Sequence, residues 1–287
     1  MRSPRTDRPD VGEPVIDIPR QRGSETRTSW QLPILMYHSV THSSPETALP
    51  YSVSMYRLEE QLLALVEAGW ELVGLTEALT LLDRDPTRRV AALTFDDGLL
   101  DFLNAVDVMR AIGARSTLYV PSALVGNRVA SREKGHSTLG WSELKGLSAE
   151  GVEIGSHSVN HRPLDVHGDA TVEAEVRDSR RVLEDRLGVP VTSFSYPHGY
   201  TSGKVSRAVE RAGYDNACIV GRRIARSTDN RFTIPRVEAR PGVTGGDMQE
   251  LVRVGERGLT PAAKRTAMPA WRLARRTAFT VLHRELT

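Results

Sequence analysis

Two short stretches of the chain carry residue types that could do chemistry together. Asp96-Asp97-Gly98 follows the apolar run Val90–Phe95, and His157 and His161 stand four residues apart just after Val152-Glu153-Ile154. Read alone, the acid pair is an ordinary polar turn and the two histidines an ordinary solvated loop. Their coincidence at the carboxyl ends of two expected strands points further, because that edge is where α/β barrels gather their sites. If the chain turns helically after the second strand, positions i and i+4 share a face and both imidazoles reach one ion. One carboxylate with two neutral imidazoles suits Zn²⁺, or Co²⁺, Mn²⁺ or Ni²⁺, and leaves a coordination position open for water. A second, non-ligating carboxylate can then take the proton as that water attacks a carbonyl carbon. Adjacent aspartates supply both roles.

The elements that must position these groups alternate along the chain. Ser54 caps an expected helix with Leu58, Leu62, Leu65 and Val66 on one face. Val90–Phe95 reads as a strand buried on both faces. Residues 99–112 read as a helix closed by Gly113, and residues 170–187 as a long helix turning Val172, Val176, Val182, Leu183 and Leu187 inward. Further strands are expected at 214–220, with Cys218 buried in it, and at 232–238, and a last helix at 247–254. This βαβα rhythm predicts a mostly parallel sheet with right-handed crossovers, most economically an α/β barrel.

Composition sets the outer limits. The 287 residues are 39% apolar and 26% charged, which excludes fibres, coiled coils and wholly disordered chains. Lys plus Arg number 38 against 36 acids, so the net charge of +2 gives no overall field for nucleic acid, and none is expected as a partner. No stretch approaches the roughly 18–20 apolar residues of a membrane span. Met1–Arg27 lacks the apolar core of about 7–15 residues that a signal peptide needs, so a cytoplasmic location is expected. A lone cysteine, Cys218, makes no intramolecular disulfide. The expected organisation is a disordered arm at 1–30, a catalytic domain at 31–258 and a basic, helical extension at 259–287. That extension interleaves Arg272, Arg275 and Arg276 with Trp271, Leu273 and Phe279, which suits a helix packed on the domain or a segment resting on an anionic membrane.

Thr94-Phe95-Asp96-Asp97-Gly98, His157–His161 and Phe194-Ser195-Tyr196-Pro197-His198-Gly199 resemble, in order, the motifs of the polysaccharide deacetylases, the nodulation-deacetylase homology domain of carbohydrate esterase family 4. The resemblance spans about residues 32–240. It implies a distorted (β/α)7 barrel and metal-dependent removal of acetyl groups from N-acetylated amino sugars of the N-acetylglucosamine type. By the same likeness Asp96 is the general base, Asp97, His157 and His161 hold the metal, and the His198 amide lines the oxyanion hole, with Tyr196 and Pro197 orienting that turn. The family often has an arginine three places before His198, where this chain has Ser195. Either Arg236, in Ile234-Pro235-Arg236, replaces it or the base is tuned differently.

The family's Leu-x-His-Asp motif, a source of the general acid, is missing. Met36-Tyr37-His38 resembles the N-terminal Tyr-His motif of a permuted branch that includes poly-N-acetylglucosamine deacetylases, which makes His38 the expected acid, with the His198 ring as the alternative. Trp141, Tyr200 and Tyr119 suit sugar stacking or the core, and His42 and His136 read as surface loop residues. The same site also suits an O-acetyl esterase or a hydrolase of non-sugar amides, and a catalytically silent saccharide-binding homologue is a rival of another class.

Overall fold

The computed structural model describes residues 29–42, 51–126 and 137–256, with Trp271, Ala274, Arg275, Thr277 and Ala278 of the tail. Residues 1–28 of the expected arm at 1–30, His136 and most of the C-terminal extension lie outside the described residues. Among the described residues no helix is long and apolar enough to cross a membrane.

The chain opens with β1 (Gln31–Leu32), β2 (Ile34–Tyr37), β3 (Ser39–Thr41) and β4 (Ser52–Ser54), then α1 (Met55–Glu67), β5 (Glu71–Val73) and α2 (Leu75–Arg84). It continues through β6 (Val90–Phe95), α3 (Phe102–Ala111), β7 (Thr117–Val120), α4 (Trp141–Ala149), β8 (Glu153–Ser156) and α5 (Asp169–Leu187). β9 (Ser193–Ser195), α6 (Gly203–Arg211), β10 (Asn216–Ile219), β11 (Ala225–Arg226), β12 (Ile234–Pro235), β13 (Val237–Glu238) and α7 (Gly245–Val254) complete it.

The strands of the main sheet are parallel and run in the order β12-β10-β9-β8-β7-β6-β2-β13, with β5 also on β6. β12 and β13 lie at opposite ends of that order yet are separated in sequence by Arg236 alone. The single strand expected at 232–238 is therefore two. Its first half pairs with β10, Cys218 facing Ile234, and its second with β2, Leu35 facing Val237. One segment thus borders both edges of the sheet and curls it into a barrel-like wall, with α1–α6 supplied by the crossovers. All six residues of β6 are buried, as their unbroken apolar run requires of a strand covered on both sides.

Helix boundaries follow their caps. Ser54 accepts from the Arg57 amide at the start of α1, and Leu58, Leu62 and Leu65 are buried, but Val66 is 39% exposed because it sits at the margin of that stripe. Val182 of α5 is likewise only half-buried. The helix expected from Leu99 starts at Phe102. The backbone before it is spent on an antiparallel bridge, Leu99 with Thr138, in which the Leu139 amide donates to Gly98 and the Leu100 amide to Ser137.

Candidate active site at the barrel mouth

The residues singled out for chemistry come from the carboxyl ends of different strands. Asp96 and Asp97 follow β6, His157 follows β8, His198 follows β9 and His38 follows β2. Arg236 occupies the break between β12 and β13. Parallel strands share one carboxyl edge, so residues distant in sequence meet there.

Asp97, His157 and His161 each offer a ligand atom, all within 4.8 Å of one another. Asp97 Oδ1 lies 3.5 Å from His157 Nε2 and 3.1 Å from His161 Nε2. His157 Nδ1 is 2.7 Å from the Ser195 carbonyl oxygen, and only a protonated nitrogen can pair with a carbonyl. The Nε2 lone pair of the neutral ring is thereby aimed at a carboxylate oxygen, two acceptors facing each other in a buried place. A cation between them resolves that conflict, and the second-nitrogen bond to a carbonyl is how metal-binding histidines are oriented. The donor set fits a divalent metal. Burial, aided by His161 and opposed by the carboxylates of Asp96 and Asp97, brings His157 down to about 4, so its ring is neutral at ordinary pH. Asp97 and His161 remain 20% and 23% exposed, so the cluster opens toward solvent.

The rings do not meet by a helical turn. Residues 157–161 are irregular, with Ser158 and His161 in the left-handed region at φ 64° and 57°. The His161 amide donates to Ser158 Oγ at 3.1 Å. Glu175, buried on α5, accepts from the amides of Val159 and Asn160 at 2.9 Å each and from Asn160 Nδ2 at 2.6 Å. It belongs to the site's support and was missed in the sequence, although its place in the inward stripe Val172-Glu175-Val176-Ser179 was a signal. Asp97 and His198 are also left-handed, at φ 76° and 58°. Four of the five non-glycine residues of this kind among the described ones lie in these loops, a clustering that marks functional sites.

Asp96 sits apart from the imidazoles in a different partnership. Arg236 Nη1 donates to Oδ1 at 2.8 Å and Nη2 to Oδ2 at 2.7 Å, a two-pronged pair with both side chains buried. Arg236 also donates to Thr94 Oγ1 at 3.1 Å and to Ser195 Oγ at 3.0 Å. Burial alone would push Asp96 up, but Arg236, with His157 and His38 adding to it, holds it below the usual carboxylate value. Burial works against Asp97 in the same way, and there His161, His38 and His157 hold the carboxyl well below that value.

His38 is half-buried, 5.7 Å from Tyr51 between ring centres. The His198 ring is 4.7 Å from His161 and 6.0 Å from Tyr200. Burial and the two neighbouring histidines lower His198 to about 3, which leaves its ring without a proton to donate as an imidazolium. Gly199 beyond it has φ 72°, and a Cβ there would lie 2.6 Å from Val220, so only glycine makes this turn. Pro197 is buried within the turn. Tyr196 is fully buried, its hydroxyl donating to the Phe232 carbonyl at 2.8 Å, and its own carbonyl accepts from the Gly199 amide at 2.8 Å across the turn. Tyr119 is also core, bonded to Ser193 at 2.7 Å, and Trp141 packs under Arg186. Of the three aromatic candidates Tyr200 stands beside His198, while Tyr119 lies 6.4 Å from the His157 ring and is wholly buried. His42 is exposed.

Arg275, one of the basic residues of the expected helical tail, is fully buried against Asp165, Nη2 to Oδ1 at 3.1 Å, with its guanidinium 3.6 Å above the Tyr200 ring.

Comparison with known proteins places these features in a family. The polysaccharide deacetylase family model matches residues 83–217, which include both aspartates, His157, His161 and His198. The chain is 25% identical over 224 residues to YxkH of Bacillus subtilis (strain 168), whose name places it among polysaccharide deacetylases, covering 77% of this chain and 76% of that one. It is 27% identical over 128 residues to the peptidoglycan-N-acetylglucosamine deacetylase of Bacillus cereus, covering 44% of this chain and about half (54%) of that protein. The fold matches that of the Streptococcus pyogenes deacetylase PplD, solved with acetate, with TM-score 0.70 and 23% identity over 78% of this chain and 99% of that one. IcaB from Ammonifex degensii matches with TM-score 0.65 and 21% identity over 78% and 96%. The acid pair, both histidines and His198 thus lie inside the residues that match the polysaccharide deacetylase family.

Proposed function

We propose that the protein removes acetyl groups from an N-acetylated amino sugar within an N-acetylglucosamine-type saccharide. The observation that carries this reading is the separation of two adjacent carboxylates, Asp97 facing two imidazoles and Asp96 locked to Arg236. The Bacillus cereus relative, named for N-acetylglucosamine, supports the substrate class.

Asp97, His157 and His161 hold a divalent cation, Zn²⁺ by preference for this donor set. Bound there, such an ion supplies Lewis acidity and lowers the pKa of a water to roughly 7. Asp96 takes the proton from the attacking water. Its guanidinium partner keeps it ionised at ordinary pH and fixes the direction of its oxygens, which is the orienting role left vacant by Ser195. The His198 amide donates to the oxygen that becomes negative as the acetamide carbonyl turns tetrahedral. His38, among the groups whose charge Asp96 and Asp97 feel, protonates the departing amine. The amide C–N bond breaks, acetate leaves and the sugar amine is freed.

The test is acetate release from N-acetylchitotetraose by the full-length chain. Release that stops on chelation and falls at least about a thousandfold in Asp96→Asn is the expected result, a loss typical of removing a positioned base. Unchanged turnover in Asp96→Asn would refute the base assignment.

A further inference from the structure

A line of rings leads outward from the metal-ligand cluster to the tail. His161 lies 4.7 Å from His198, His198 lies 6.0 Å from Tyr200, and the Trp271 indole N–H donates to the Tyr200 hydroxyl at 3.0 Å. Four residues beyond Trp271, Arg275 is fully buried, paired with the equally buried Asp165 and stacked on Tyr200 at 3.6 Å. Trp271 and Arg275 are both helical. A buried ion pair adds little net stability, but it fixes geometry, since sliding the segment would strand both charges away from water. Trp271 is thus held by two neighbours and still keeps 38% of its surface in solvent. A large indole fixed in orientation and left uncovered is what a stacking surface requires: apolar face outward, polar edge satisfied. One face of Tyr200 is already taken by Arg275, so the accessible ring is that of Trp271.

We propose that Trp271, braced by Tyr200 and by the Arg275–Asp165 pair, is a saccharide subsite supplied by the C-terminal segment. It stacks on the apolar face of a sugar that flanks the one whose acetamide lies at the Asp97-His157-His161 cluster. The inference rests on the proposed deacetylation for the nature of the ligand, a chain of amino sugars. It makes Trp271 a determinant of chain length and not of the bond broken.

The experiment pairs two readouts on the metal-loaded, full-length chain: kinetics of acetate release from N-acetylchitotetraose, and calorimetric titration with chitotetraose, which has no acetyl group and is not consumed. Trp271→Ala is expected to raise KM and weaken chitotetraose binding about tenfold while kcat stays within about threefold, and Trp271→Phe to recover most of the loss. Equal chitotetraose affinity in the wild type and Trp271→Ala, or no measurable affinity in the wild type, overturns the subsite. Acetate release with an unchanged KM in Trp271→Ala overturns it while leaving the deacetylase reading intact. Tryptophan-dependent binding without any acetate release does the reverse.

Discussion

Adjacent aspartates at the end of one strand occupy opposite electrostatic surroundings, and that difference assigns their work. Asp97 faces the lone pair of His157 Nε2 and the ring of His161, a place that suits a cation, whereas Asp96 is gripped at both oxygens by a planar guanidinium. A lysine at 236 would keep the charge and lose the fork. Arg236→Lys is expected to lower kcat about a hundredfold without changing metal content, as measured by steady-state acetate release and elemental analysis. Arg236→Met leaves Asp96 buried and unpaired, so denaturant titration should show about 3–5 kcal/mol less stability. The aspartates, His157 and His161 were legible because they stand in two short stretches that come just after strand-like apolar runs. The Arg236 partnership was open in the sequence, because 140 residues separate the pair and nothing local distinguishes this arginine from one in a surface salt bridge. Ser195 was the indirect signal. A small hydroxyl at the place where the resemblance leads one to expect an arginine leaves room for a guanidinium from another strand, and its Oγ accepts from it.

At the scale of elements, the strand ends are stiff and the loops between them carry the strain. The His157–His161 loop adopts two left-handed residues and is held by the Glu175 carboxylate reaching from α5 to two backbone amides. Glu175→Ala removes that brace without touching a ligand, so it should weaken metal affinity about 10- to 100-fold by competition titration, with kcat recovered at saturating metal. An unaltered affinity would mean that the loop holds its own shape. The helical spacing of the two histidines suggested a simpler geometry, but hydrophobic periodicity carries no information about left-handed residues in a polar loop. The same limit explains α3, whose first turn gives way to a bridge with residues far along the chain.

On the scale of the whole molecule, the alternation of strands and helices was readable because each element buries an apolar face of regular period. How the sheet shuts was not readable. Ile234–Glu238 looks like one strand, and its division at Arg236 is set by two sheet edges competing for the same backbone, a long-range effect with no local trace. That division puts Arg236 at the break, beside Asp96. The burial of Arg275 was equally hidden, since a basic amphipathic stretch looks solvated until an inward acid such as Asp165 is found for it. What the closed wall achieves is convergence: β6 and β8 deliver three ligand atoms to one point and leave a fourth group, Asp96, outside their grip. Calorimetric titration of the apo chain with Zn²⁺ tests this most directly. One ion per chain should bind to the wild type and to Asp96→Asn with similar affinity, while Asp97→Ala and His161→Ala should lose it. Loss of binding in Asp96→Asn, or its survival in both ligand variants, would contradict the division of labour between the two aspartates.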